Sequence, residues 1–379
     1  MKAPERTTPP QTGKGLRSYH GNYAKYTTDA HGEAVCYFNP CYKAERVQPS
    51  AFRYLYKDLA VRAANRLPES PDTIQRLIDL ADFMVDEQSA EENDREGRGN
   101  STIPAGYTYW GQFIDHDLSA GTDSSHEFEL TEPDFRPVTP SQVEADIENM
   151  RHPFFDLDSL YGDEKGPYGD MNPFYGHDGD PVKLRVGAVE TAPQGVTPDN
   201  ELGTERDLPR NIDQGVFEDL VESQAVIGDF RNDENLIIAQ FHLGMLRFHN
   251  AVVDAIRAEK PKLSDKDVFR KARRQVRYHY QWLVVNDFLQ HVATPEDVNA
   301  ALSADGIFDS EEEAYMPLEF ATAASRFGHS MVRNQYDFNL NFGRGDSPLT
   351  PRATFEQLFA FTGRGAVTNP LMGNHLPNN

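Results

Sequence analysis

Apolar positions recur at three- and four-residue spacing in four stretches of the chain, at about 70–90, 233–257, 267–292 and 315–335. That period puts them on one side of a helix, so each stretch predicts an α-helix with one buried face. In the second stretch the predicted face carries Leu236, Ala239, Gln240, Leu243, Leu246, Arg247 and Asn250. The first stretch, SPDTIQRLIDLADFMVDEQSA, has Pro71 and Asp72 where a helix should start. Strict apolar–polar alternation is scarce and no internal repeat occurs, so the expected class is mainly α.

The intervening segments read differently. Residues 1–70 are rich in Pro, Gly, Tyr and Lys with weak periodicity, and are expected to form an extended N-terminal arm on a main domain spanning 71–379. EENDREGRGN at 91–100 reads as a solvated connector, and 171–212 as loop with a small hairpin around VKLRV. The final TFEQLFAFTGRGAVTNPLMGNHLPNN starts like a helix and runs into a polar, turn-forming tail. Such an ending fits a domain terminus and also a chain lacking a C-terminal portion.

Composition narrows the function classes. In 379 residues, 37 Lys and Arg face 60 Asp and Glu, a formal charge of -23 that disfavours nucleic acid and anionic lipid as partners. No uninterrupted apolar run approaches the roughly 18 residues of a membrane span, so no transmembrane segment is expected. The start, MKAPERTTPPQTGKG, lacks an apolar secretory core. A cytoplasmic location is therefore the default expectation, with unconventional export as the alternative. Cys36 and Cys41 are close enough for one bridge, but are expected to be free thiols. Oligomeric state is not legible.

Three clusters carry candidate chemistry. In TYWGQFIDHDLSA, residues 108–120, helical spacing puts Gln112, Asp115 and His116 on one side. Asp117 is turned by about 100° and must serve a different neighbour. In GDFRNDEN, 228–235, Arg231 and Glu234 are three apart and can face one cavity. In SRFGHSMVRNQY, 325–336, His329 follows Gly328, which leaves room for a flat group, and Arg326 and Arg333 border the same face. A neutral His329 could ligate iron or zinc, or be a satisfied core histidine. A fourth run, FFDLDSLYG at 154–162, offers Asp156, Asp158 and Ser159 with a backbone carbonyl, an oxygen set suited to calcium or to a plain Asx-rich turn. Spacing alone leaves these alternatives open. Zinc spacing, dinucleotide and phosphate glycine loops, nucleophile elbows and zinc-protease signatures do not occur.

In order and in spelling, these runs resemble the animal-type haem peroxidases of the peroxidase–cyclooxygenase superfamily, in a bacterial branch. WGQFIDHDL looks like the distal motif, GDFRNDENLIIAQFHLGMLRFHN like the distal-arginine helix, FFDLDSLYG like the calcium loop and ASRFGHSMV like the proximal motif. The resemblance covers about 70–379 and implies a mainly α fold with haem between distal and proximal helices. His116 then corresponds to the distal histidine, Gln112 to its pocket companion, Arg231 to the distal arginine and His329 to the proximal iron ligand. Arg326 matches the partner of a haem propionate. Asp115 and Glu234 match the carboxylates that ester-link haem in mammalian members, so the implied cofactor is haem b or an ester-linked derivative. Asn235 stands where a sulfonium-forming Met occurs, and that link is not expected.

Asp117, Phe154 through its carbonyl, Asp156 and Asp158 match the ligands of a Ca2+ ion. His152 stands where Thr is usual and Asp158 where Ser is usual. An Asn that hydrogen-bonds the proximal histidine in the family has no matching segment before Asn379. The implied activity is reduction of hydrogen peroxide with oxidation of small organic donors, halides or thiocyanate. Fatty-acid dioxygenation is the runner-up, since Arg326 occupies the position of the tyrosine that such chemistry requires. A non-catalytic haem sensor and a haem-free interaction protein are the remaining alternatives.

Overall fold

The computed structural model describes residues 26–28, 34–36, 50–68, 70–84, 100–121, 139–162, 166–168, 174–188, 205–210, 225–303, 315–337 and 352–363. Three helices build the body: α1 (Gly106–Leu118), α2 (Leu236–Glu259) and α3 (Asp265–Leu283). α2 packs against both of the others.

Each of the last two has a clear reason to start. Asn235 caps α2 by accepting from the Ile237 and Ile238 N–H groups, and Ser264 caps α3 by accepting from Asp267. Along α2 the buried positions Ile238, Ala239, His242, Leu246, His249, Val253 and Ile256 keep the helical period. Of the predicted face, Ala239, Leu243, Leu246 and Asn250 are buried, but Gln240 is exposed and Arg247 lies at the edge. By length and composition α2 could cross a bilayer, contrary to the sequence expectation. Half of its apolar window is nonetheless buried in the protein, and its core face carries His242, His249 and Asn250.

α1 is buried on more than one side, through Tyr109, Trp110, Phe113, Ile114, His116 and Asp117. Aromatic contacts fix it: the Trp110 and Phe113 rings stack at 5.4 Å, and Tyr280 of α3 meets both edge-on at 5.8 and 6.2 Å. Such pairs add roughly 0.5–1.5 kcal/mol each beyond area burial.

The helical pattern predicted for 267–292 is continuous, but it passes through a π-helical stretch, Val284–Phe288, before the short Leu289–Val292 helix. The pattern predicted for 315–335 is not one helix. It divides into a strand, a helix at Leu318–Thr322 and a 3-10 segment at Ala324–Met331, with a break at Ala323 (φ -129°, ψ -64°). Pro317, extended at ψ 128°, stands just before the first of these helices.

β1 (Ser50–Arg53) pairs antiparallel with β2 (Glu148–Asn149) and parallel with β3 (Tyr315–Pro317). Glu319 then accepts from the N–H groups of Leu55 and Tyr56 at 2.8 and 3.1 Å. The segment before residue 70 thus supplies a strand and a turn to the body. The expected hairpin at 182–186 is a single antiparallel bridge, Tyr175 with Leu184. The predicted terminal helix is present as Phe355–Thr362, begun by a capping box between Thr354 and Gln357. Cys41, most of the 91–100 connector and the last sixteen positions lie outside the described residues.

Two fully buried histidines give the core a pH liability. His249 sits between the Tyr161 hydroxyl and the Val182 carbonyl, both at 3.0 Å. Burial pushes His242 down to about 3 and His249 down to about 4. Unfolded histidine titrates near ~6.5, so between that value and the depressed ones the unfolded chain holds protons that the fold excludes. Stability should therefore fall as pH drops through that window, by a few kcal/mol in order of magnitude. Urea midpoints measured from pH 7 to pH 4 should decline, and His249→Gln should flatten part of the slope; an unchanged slope in the variant contradicts this.

Candidate functional site

Residues of α1 and of the Ala324–Met331 segment line one cavity of about 560 Å³. That is the size range of a cofactor or drug-sized ligand site. Gln112, Asp115 and His116 come to it from α1, and Arg326, Gly328 and His329 from the second segment. Phe288, Phe320, Phe327 and Phe359 make much of the remaining surface aromatic. Gly111 lets α1 approach the π-helical stretch, since a Cβ there would lie 3.1 Å from the Phe288 ring. A Cβ on Gly328 would meet nothing within 4 Å.

His116 is 3 % exposed, and its Nδ1 lies 2.8 Å from the Asn232 Oδ1. Asn232, itself fully buried, places its Nδ2 at 3.0 Å from the Nδ1 of His242. His329, which lines the same cavity, is exposed. Partial burial and the Arg326 charge hold its imidazole below the usual histidine range, with Asp115 opposing. A neutral ring is the form that ligates a metal. Arg326 is oriented by its Nε, which donates to the Ala321 carbonyl at 2.9 Å.

Arg231 and Glu234, expected to face the cavity, are not among the described residues that line it. The Arg231 Nη2 donates to the His116 carbonyl at 3.0 Å, and its Nε and Nη2 grip Asp229 at 3.0 and 2.7 Å. Phe230–Asp233 is a 3-10 turn capped by Asp229, so the arginine folds back on its own cap. Glu234 stands behind Gln112 and accepts from its Nε2 at 3.0 Å. Arg333 likewise does not line the cavity, because the 3-10 segment ends at Met331 and the helical offset of four is lost.

Asp229 is the electrostatic centre of this region. Arg151 also reaches it, by Nε at 3.1 Å and Nη2 at 2.5 Å. Burial alone would raise the Asp229 carboxyl, but Arg151 and Arg231 hold it well below the ordinary carboxylate range. The third Arg151 nitrogen, Nη1, reaches Asp158 at 3.4 Å. Gly228 has to be glycine here: a Cβ would lie 2.5 Å from the Ser159 carbonyl oxygen. This close approach joins the Arg231 turn to the Asp156–Asp158 loop.

Asp117 points away from the cavity, as its 100° offset requires. It is fully buried, and accepts from the Leu157 N–H at 3.1 Å and the Ser159 hydroxyl at 3.0 Å. Leu157 adopts a left-handed backbone (φ 59°, ψ 40°), a conformation that costs a leucine about 1–3 kcal/mol. That turn sets Asp156 and Asp158 on either side of it. Ligand atoms of His152, Asp156 and Asp158 lie within 4.8 Å of one another. The Phe154 carbonyl accepts from the Asp156 N–H at 2.9 Å. Burial, then Asp158 and Asp156, push the Asp117 carboxyl well up, and Asp158 is pushed up to about 6.

Sequence reasoning read Asp229 as a turn or cap, which it is, but missed its pairing with two arginines, and it missed Asn232, His242 and Arg151. For His242 a signal existed: a histidine on the apolar stripe of α2, between Ala239 and Leu246. The other three are polar residues in loops, where spacing says nothing about distant partners.

The family profile described as "Animal haem peroxidase" matches residues 84–372. "Heme peroxidase 2" of Caenorhabditis elegans is 28 % identical over 117 residues, covering 29 % of this chain and 16 % of that protein. A "Peroxidase-like protein" of Margaritifera margaritifera is 27 % identical over 273 residues, covering 64 % and 33 %. The chain thus spans a third or less of these relatives' lengths. Among solved structures, Peroxidase A from Dictyostelium discoideum aligns with a TM-score of 0.48 at 17 % identity, over 96 % of this chain and 66 % of that one. With the family profile matching most of its length, the chain belongs to the animal haem peroxidase family.

Proposed function

We propose that this chain is a haem-dependent peroxidase that reduces hydrogen peroxide and oxidises small organic donors, halides or thiocyanate. One observation carries the reading: His116 and His329, distant in sequence, line a single cavity. The lining fits haem. It is aromatic and apolar where a macrocycle would lie, it offers a neutral imidazole in His329, and it offers a cation in Arg326 for an anionic edge.

His329 would hold the iron, and Arg326 a propionate. Asp115, which lines the cavity, would be the carboxylate for an ester link, whereas Glu234 is engaged by Gln112. Bound haem supplies the redox centre that takes up oxidising equivalents from peroxide. The protein's own part is proton handling and charge. His116 accepts a peroxide proton on Nε2 and returns it to the departing oxygen, turning a poor leaving group into water. Arg231 acts from behind: it clamps the His116 carbonyl and sets positive charge beside the base. Gln112, anchored by Glu234, presents an amide to the cavity and can orient water or a small anion.

A Ca2+ ion held by Asp117, Asp156, Asp158 and the Phe154 carbonyl is part of the same proposal. Asp117 and Asp158 are buried beside the half-buried Asp156; burial first, and the neighbouring carboxylates after it, push the two buried acids up, and a dication there would favour their charged forms. Arg151 neutralises part of their charge. Because Asp117 adjoins His116, a bound cation would pin the end of α1 that carries the base.

Two outcomes test these roles. His116→Ala should keep the haem absorption band but slow the bimolecular reaction with peroxide by about 10²–10⁴-fold in stopped flow; an unchanged rate removes His116 as the base. Chelation should lower the melting temperature and turnover of the haem-loaded protein, and Asp117→Asn should show both losses without chelator and little further response to it. Chelator-insensitive wild type with full turnover rejects the cation site.

A further inference from the structure

We propose that the Asn232 carboxamide is the positioning residue that fixes which nitrogen of His116 carries hydrogen, leaving Nε2 as the proton acceptor, with His242 locking the amide's direction. The inference rests on the peroxidase reading for what the acceptor does. For the tautomer itself it rests on the geometry of the row and on the neutrality of the buried His242.

Three elements meet behind the cavity. His116 comes from α1, Asn232 from the Phe230–Asp233 turn and His242 from α2. Their side chains are 3 %, 0 % and 0 % exposed, so protein groups must satisfy their polar atoms. The row runs His116 Nδ1 to Asn232 Oδ1 at 2.8 Å, then Asn232 Nδ2 to His242 Nδ1 at 3.0 Å.

Hydrogen inventory gives this row one productive setting. Burial keeps His242 neutral, so it carries a single ring hydrogen. With its Nδ1 accepting from the amide, that hydrogen lies on Nε2, which has no partner among the described residues and is near the Phe113 ring, 6.0 Å away edge to face. The amide has one carbonyl. Once its NH2 is committed to His242, the carbonyl faces His116, and a carbonyl only accepts. The Nδ1 of His116 must therefore donate, and its lone pair is left on Nε2.

The reversed amide would send NH2 to His116 and carbonyl to His242. It would leave Nε2–H on His116, which cannot take a proton. It would also oppose two donors whenever His116 is protonated, because both ring nitrogens then carry hydrogen. The observed direction serves the neutral and the protonated ring alike. The charged groups nearby do not provide this. Arg231 bonds the His116 backbone carbonyl and Asp229 is taken up by Arg151 and Arg231, while Asp115 and Asp117 diverge along α1. Asn232 itself is held by its backbone N–H donating to the Asp229 carbonyl at 3.0 Å.

The test uses full-length, haem-loaded chain with 15N-labelled histidine, reduced and bound to carbon monoxide so that the iron is diamagnetic. In wild type, His116 should show a protonated-type shift at Nδ1 and an unprotonated-type shift at Nε2. His242 should show the reverse. Asn232→Leu should mix the His116 tautomers and slow the ferric protein's reaction with peroxide by about 10–100-fold, the scale seen for outer-shell partners, with KM for the electron donor unmoved. Asn232→Asp keeps an acceptor of the same shape and should restore the Nδ1–H form and most of the rate. Nε2–H on His116 in wild type overturns the inference even if no variant folds, and so does an Asn232→Leu protein with unchanged tautomer and rate. Wild type that binds haem but does not react with peroxide defeats the peroxidase reading instead, whatever the tautomer.

Discussion

One helical step separates His116 from Asp117, and the site depends on that step. Successive side chains on a helix diverge by about 100°, and here that turn takes Asp117 off the cavity that His116 lines. α1 meets this constraint by being buried on both sides. One side presents Gln112, Asp115 and His116 to the cavity, and the other drives Asp117 into the Leu157–Ser159 turn. A helix with one wet face could not hold both. The aromatic contacts of Trp110 and Phe113 with Tyr280 fix its rotation, and with it the aim of both groups.

The second support is electrostatic. Asp229 is a buried carboxylate gripped by two arginines, and each arginine has a second attachment. Arg231 ties it to the His116 carbonyl, and Arg151 ties it to Asp158. Removing one partner from such a buried group costs about 3–5 kcal/mol, because the remaining charge is left without compensation. The network therefore works as a fastener between the carboxylate loop and the wall that carries the base. The glycine at 228 permits it by letting that turn lie directly on the Ser159 backbone.

Much of this was legible in the sequence. Helical period located α2 and α3, and the offsets within QFIDHD correctly divided Gln112, Asp115 and His116 from Asp117. Family resemblance then supplied an order for motifs that spacing alone left ambiguous. What failed did so for physical reasons. The 315–335 pattern is broken by Pro317 and by the turn at Ala323, and 3-10 geometry moved Arg333 off the cavity. Arg231 and Glu234 read as facing the cavity, but Asp229 and the His116 carbonyl draw the arginine back and Gln112 engages the glutamate. Asn232, His242 and Arg151 act through contacts across 116, 10 and 78 positions. Local pattern reports faces of one element and says little about pairs brought together by packing.

The central claim is that one macrocycle site lies between imidazoles 116 and 329. Its most direct test is an optical titration of the protein with haem, in wild type and His329→Ala. The account predicts saturation at one haem per chain with an imidazole-ligated spectrum, and a variant that loses that spectrum and regains it on adding free imidazole. A wild type that binds no haem, or a variant spectrum identical to wild type, would contradict it.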